Sequence, residues 1–128
     1  MNMPEGFLYT KEHEWAKIEG DQAKVGITDY AQSSLGDITF IELPKEGTEV
    51  EQSKGLATVE SVKAASDVYA PLSGKITQVN NTVVDAPEVI NDSPYEKGWL
   101  AVIELKDEKE KEKLMKPEDY RKYVETLK

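Results

Sequence analysis

The 128-residue sequence predicts a mainly β protein, a β-sandwich or barrel, that ends in an amphipathic helix. Several short runs alternate apolar and polar residues at period two, as half-buried strands do. Turn residues, chiefly Pro, Gly and Asp, separate these runs. Near the C-terminus the spacing changes to i, i+3, i+4 and i+7, the apolar stripe of a helix, at Tyr120, Tyr123, Val124 and Leu127.

The first half of the chain predicts a hairpin, a short helix and a further strand. Residues 15–18 and 23–27 form the hairpin, joined by a Gly-Asp turn. A helix is expected near residues 28–35, because its first residue is a threonine that can cap it and Gly36 suits the position after its end. Residues 38–43 are mostly apolar and β-branched, which predicts a strand with little exposure.

The second half predicts four more strands and the C-terminal helix. The strand-like runs are residues 55–61, 66–72, 75–80 and 99–105. The last run is apolar at nearly every position, which favours a central place in a sheet. A P-x-x-G turn occurs at 44–47 and again at 71–74, either as a weak internal repeat or as two ordinary turns. The charge run at 106–113 is a solvated linker or a helix start, and Pro117 fits the first turn of a helix over about 117–127.

Composition and charge exclude several classes of function. The length is that of one domain over residues 1–128, with a β core at about 7–105. The formal net charge of −9 argues against nucleic acid and anionic membrane surfaces, because both require a basic face. No apolar run approaches the roughly 20 residues of a membrane span, and no signal or transit peptide is visible. A cytoplasmic location, or a mature form already trimmed, is therefore expected.

Few side chains are suited to catalysis. The sequence has no cysteine, so disulfides, thiolate metal sites and a cysteine nucleophile are excluded. His13 is the single histidine, and the HEWAK stretch around it is not an HExxH zinc motif. We therefore expect a protein with no metal site and no catalytic residues of its own.

Lys63 lies between two predicted strands and has two interpretations, a charged hairpin residue or an attachment point. A Schiff-base lysine must lose its proton, whereas Glu60 and Asp67 are near in sequence and stabilise the ammonium form. A tight turn between paired strands holds a lysine clear of the surface, and Ala64 and Ala65 leave room for a modifying enzyme. The local residues leave both interpretations open.

Several motifs occur in an order and spacing that resemble one known family. They are YTKEHEW, VGITDYAQSSLGDI, ELPKEG, ESVKAASDVYAPLSGKI, VN and YEKGWL. Over about residues 7–127 the chain resembles the glycine cleavage system H proteins. Methionine typically flanks the lysine of biotin carriers, whereas Val62 and Ala64 flank Lys63. The lipoyl domains of 2-oxo acid dehydrogenases usually read DKA and lack the HEW and ITDYAQ motifs.

The resemblance implies a fold and a set of site residues. The fold is a barrel-sandwich hybrid of the lipoyl/biotinyl type, made of two antiparallel sheets, in which Lys63 carries lipoic acid through an amide bond. Glu60 and Gly74 match positions that lipoylating enzymes read, although a solvated acid and a turn glycine explain them equally. Glu14 and Asp67 match carboxylates that hold the cationic amine of the loaded arm, although both can also be solvated surface acids.

The resemblance also implies a function. The lipoyl arm on Lys63 accepts an aminomethyl group from glycine decarboxylase (P protein) and presents it to a tetrahydrofolate-dependent aminomethyltransferase (T protein). Dihydrolipoamide dehydrogenase (L protein) then reoxidises the arm. The chain is thereby expected to be a non-catalytic, monomeric carrier in glycine catabolism and one-carbon metabolism. Two alternatives stay open: a relay that donates lipoate to other acceptors, and an unmodified β-sandwich adaptor.

Overall fold

A computed structural model describes residues 2–127. These residues form two antiparallel sheets and several short helices. The strands are β1 (Leu8–Tyr9), β2 (Glu14–Glu19), β3 (Gln22–Ile27), β4 (Ile38–Glu42), β5 (Glu49–Val50), β6 (Gly55–Ser61), β7 (Ala65–Tyr69), β8 (Gly74–Val79) and β9 (Ala101–Leu105). The helices are α1 (Asp29–Leu35), α2 (Asn81–Asp85), α3 (Glu88–Asp92) and α4 (Pro117–Glu125), with a 3₁₀ segment at Glu108–Lys113.

The strands divide into a six-stranded sheet, in the order β1-β2-β3-β9-β8-β5, and a three-stranded sheet, in the order β4-β6-β7. All pairings are antiparallel, and the two sheets do not close into one barrel. The predicted mainly β, two-sheet fold is confirmed. The central place predicted for residues 99–105 is also confirmed, since β9 lies between β3 and β8.

Two groups of buried side chains hold these elements together. The larger group packs aliphatic side chains of both sheets against each other, among them Val25, Ile41, Val59, Ile76 and Ile103. Removing such apolar surface from water is the main favourable contribution to folding. The second group is mainly aromatic and joins α4 to β1 and β2; among its members are Tyr9, Trp15, Tyr95, Tyr120 and Val124.

Both predicted helices are present. The Thr28 hydroxyl caps α1 by accepting from the Ala31 N–H at 3.2 Å, and Gly36 follows the helix with φ of +78°. The C-terminal helix begins at Pro117, as predicted, but ends at Glu125 rather than near residue 127. With nine residues it is the longest helix in the part of the chain that is described, and none there is long and apolar enough to cross a membrane.

The fold differs from expectation in the exposure of one strand and in its short elements, among them the two-residue strands β1 and β5, which were not predicted. The strand β4 was predicted to have little exposure, which is wrong, because Phe40 is 48% exposed while Ile41 beside it is 2% exposed. The three-stranded sheet has one face on the core and the other in water, so Phe40 and Glu42, on either side of Ile41, point outward. Residues 81–92 form α2 and α3, which were not predicted, because five-residue helices are too short to show a helical period.

Candidate functional site

Lys63 lies in a tight turn that the serine two residues before it holds in place. The strand β6 ends at Ser61 and β7 begins at Ala65. The Ser61 N–H donates to the Ala64 carbonyl at 2.8 Å, and the Ser61 hydroxyl oxygen accepts from the Lys63 and Ala64 N–H groups, both at 3.2 Å. This side-chain-to-backbone bonding fixes the turn. Sequence analysis missed Ser61, since a single serine before a turn is a weak signal.

The Lys63 side chain is exposed and runs past the end of α1. A Cβ atom placed on Gly36 would lie 3.3 Å from Lys63 Cε, so glycine leaves space for the lysine stem. The turn is also tied to the segment after α1, because the Val62 N–H donates to the Asp37 carbonyl at 3.1 Å. Within residues 2–127 the Lys63 ammonium has no hydrogen bond or ion-pair partner, which leaves its nitrogen accessible.

Glu60 is exposed on β6, close to this turn. Its backbone pairs with Phe40 of β4 on one side and with Ala65 of β7 on the other. The three side chains therefore share one face of the three-stranded sheet. Glu60 stands three residues before Lys63 with its side chain toward solvent, and its predicted part in lipoylation stays a prediction.

Gly74 has a packing explanation of its own. It is the buried first residue of β8, and a Cβ atom there would lie 2.0 Å from the Glu104 carbonyl oxygen and 2.6 Å from Ile103 Cγ2. Real Cβ atoms do not approach other atoms so closely, so β9 excludes any side chain at this position. The backbone N–H and the hydroxyl of the preceding Ser73 both donate hydrogen bonds to the Glu110 carboxylate, each at 2.7 Å. The predicted reading of Gly74 by lipoylating enzymes stays a prediction.

Glu14 is a buried carboxyl, only 3% exposed, at the wall of a cleft. The Thr10 hydroxyl donates to its Oε1 at 2.5 Å, and the Tyr69 N–H donates to its Oε2 at 3.1 Å. Burial raises the pKa of Glu14 to about 7; the bonds from Thr10 and Tyr69 oppose this rise, and the charge of Glu12 adds to it. The carboxyl therefore changes its charge near neutral pH.

The cleft beside Glu14 has a volume of about 690 Å³, within the usual range for small-molecule sites. Its wall combines apolar groups with a few charged ones: Tyr9, Thr10, Lys11, Glu12, Glu14, Gln52, Ser53, Tyr69, Ala70, Pro71, Lys113, Leu114 and Met115. Such a lining suits a hydrocarbon chain that ends in a cationic group, since the chain packs on the apolar wall and the cation meets the carboxylate.

Asp67 lies elsewhere. It is exposed on β7, in register with Thr58, and lines a separate shallow pocket that also contains Glu42. Tyr69, two residues further along the same strand, does line the cleft. The structure therefore does not bring Glu14 and Asp67 together in one cavity.

His13 and Trp15 have structural contacts. The Trp15 ring is fully buried and donates from Nε1 to the Pro94 carbonyl at 3.0 Å. His13 Nδ1 lies 2.8 Å from the Tyr120 hydroxyl, which in turn lies 2.8 Å from the Thr28 hydroxyl that caps α1. This chain of polar contacts joins α4, the start of β2 and α1.

These features define a class: a two-sheet protein of the lipoyl/biotinyl fold type that displays one lysine on a fixed hairpin turn. The family model for glycine cleavage H-protein matches residues 7–127, and the chain belongs to this family. The glycine cleavage system H protein of Halothermothrix orenii is 52% identical, with 99% of both chains covered. That of Thermoanaerobacter sp. is also 52% identical, with 98% of both covered. In a crystal structure, a glycine cleavage system H protein from Mycobacterium marinum superposes with a TM-score of 0.84 at 35% identity, covering 94% of this chain and 98% of that one.

Proposed function

We propose that this chain is a lipoyl carrier of the glycine cleavage system and bears lipoic acid in amide linkage on Lys63. The observation that carries the proposal is the fixed, exposed turn, which holds an unengaged lysine ammonium in a chain of this family. The family match over residues 7–127 favours treating the whole chain as one carrier domain. The protein then has no turnover of its own and acts in glycine catabolism and one-carbon metabolism, in the cytoplasm.

Lys63 supplies the nucleophile for its own modification. The neutral amine of Lys63 attacks the carbonyl carbon of an activated lipoyl group brought by a lipoylating enzyme. A C–N bond forms, the bond to the leaving group breaks, and the amine loses its proton to solvent. The Ser61 hydroxyl holds the turn in place during this approach, because it accepts hydrogen bonds from the backbone N–H groups of Lys63 and Ala64. This pre-organisation lowers the entropy cost of presenting the lysine.

Once bound, lipoate supplies a sulfur that accepts an aminomethyl group and a dithiol that is afterwards reoxidised. The partners are glycine decarboxylase, the tetrahydrofolate-dependent aminomethyltransferase and dihydrolipoamide dehydrogenase. This chain presents the arm to each of them and supplies no reacting group of its own. The chemistry belongs to the attached group, while the protein provides position and recognition.

The cleft at Glu14 would shelter the cationic end of the arm. An ammonium beside Glu14 stabilises the carboxylate over the carboxylic acid, so its arrival displaces a proton from Glu14 to solvent below about pH 7. The apolar part of the cleft wall excludes water from the cargo. Asp67, which lies outside the cleft, would act only on the exposed part of the arm.

The intact mass of natively purified protein tests the proposal. We expect one added lipoyl group on the wild type, none on Lys63→Ala, and one on Lys75→Ala, a control at another exposed lysine. An unmodified wild type from a lipoate-replete host would contradict the proposal and favour an unmodified adaptor. Lipoyl mass retained in Lys63→Ala would move the attachment site to another lysine.

A further inference from the structure

The three-stranded sheet presents a face to solvent next to the Lys63 turn. Ile41 of β4 and Val59 of β6 are backbone partners whose side chains point to the core. The residues on either side of each of them point to the outer face. In two rows of backbone partners, this outer face consists of Phe40, Glu60 and Ala65, and of Glu42, Thr58 and Asp67. The first row lies nearer to the turn, because Ala65 is the first residue of β7.

Large apolar groups lie exposed on and beside this outer face. Phe40 is 48% exposed in the middle of β4, and Val62 is 70% exposed in the turn beside Lys63. Glu60 is the cross-strand partner of Phe40 and stands two residues before Val62. An exposed aromatic next to a second apolar group is typical of the central anchor of a protein interface.

The charge of the outer face is of one sign. None of the strands β4, β6 and β7 contains a lysine or arginine, whereas Glu42, Glu60 and Asp67 are all on the exposed side. The apolar group of Phe40 is thus bordered by carboxylates. A complementary partner has an apolar pocket for the aromatic ring with lysine or arginine side chains around it.

We propose that the outer face is the docking surface of the enzyme that acylates Lys63, with Phe40 as the anchor that enters an apolar, basic-rimmed pocket. This inference rests on the proposed function. The acylating enzyme has to reach the turn itself; Val62 is part of that turn, and Phe40 and Glu60 lie in the row of backbone partners beside it. The cleft at Glu14 is lined by Tyr69, which lies at the opposite end of β7 from the turn.

The test measures kcat/KM for lipoylation of unmodified protein by a lipoate–protein ligase supplied with lipoate and ATP. We expect Phe40→Ala to lower kcat/KM about tenfold, the effect of losing one anchor side chain. Leu127→Ala is the matched control, since Leu127 is 44% exposed and follows α4, which packs on β1 of the other sheet. If Phe40→Ala does not fold, Phe40→Thr keeps a strand-forming residue and removes the ring.

The charge of the face is tested separately. We expect Glu42→Lys to lower kcat/KM and to weaken its dependence on salt concentration, because a rim charge steers association. Glu19→Lys, at an exposed position of the other sheet, makes the same change in net charge and should leave both unchanged. A global charge effect would make the two variants alike, which would contradict docking through this face.

Three results separate the possible outcomes. Wild-type lipoylation rates for folded Phe40 variants would overturn the docking surface while leaving the carrier function intact. Normal lipoylation together with slow turnover of the preloaded variant by glycine decarboxylase would assign the face to that enzyme and overturn the occupant proposed here. A wild type that the ligase does not modify at Lys63 would instead refute the carrier function, which intact mass reads directly.

Discussion

The buried carboxyl of Glu14 makes folding stability depend on pH in a calculable way. Burial raises its pKa from 4.5 to about 7, so between these values the folded chain holds a proton that the unfolded chain has lost. Because the folded state binds more protons in this range, stability falls as pH rises from about 4.5 to 7 and stays lowered above it. At about 1.4 kcal/mol for each tenfold change in the ionisation constant, the loss is about 3 kcal/mol.

Glu14→Gln removes this titration and retains the local bonding. The introduced amide has an oxygen that can accept from the Tyr69 N–H, and its NH₂ can donate to the Thr10 hydroxyl, which rotates to accept. The amide side chain introduced at position 14 stays neutral at every pH. We therefore expect the variant to be more stable than the wild type above pH 8 and close to it near pH 4.5.

Urea unfolding at pH 4.5 and pH 8.5 measures the effect. The difference in unfolding free energy between wild type and Glu14→Gln should change by about 3 kcal/mol between the two pH values, since all other groups cancel. Glu46→Gln, at an exposed position outside the cleft, is the control and should show no such change. Parallel pH profiles for wild type and Glu14→Gln, within about 0.5 kcal/mol, would refute the assignment of a raised pKa to this carboxyl.

Two further predictions concern Gly74 and the carboxylates of the arm. Gly74→Ala places a Cβ 2.0 Å from the Glu104 carbonyl oxygen and should lower the unfolding free energy by about 1–3 kcal/mol or more, whereas Gly55→Ala meets nothing within 4 Å and should not; equal urea midpoints would contradict this. Ammonia release from isolated loaded protein should be faster in Glu14→Gln than in Asp67→Asn, because of the two only Glu14 lines the cleft; equal rates would show that the cleft does not shelter the cargo.

Patterns that extend over several residues predicted most of the fold. Alternation at period two gave the first hairpin, and the i, i+3, i+4 stripe gave the C-terminal helix, since each pattern follows from the geometry of its own element. The same patterns say little about exposure. An apolar run such as residues 38–43 fits a buried strand and a half-exposed one equally, and Phe40 belongs to the second kind.

The sequence by itself determined seven of the nine described strands, the C-terminal helix, the absence of cysteine and, through its motifs, the family and the lysine of interest. These depend on local spacing and residue identity. Only the tertiary structure decided that Gly74 lacks room for a side chain, that Glu14 is buried with a raised pKa, and that Asp67 lies on another surface. Each of these depends on atoms brought close by strand pairing from distant parts of the chain, and no local pattern encodes such contacts.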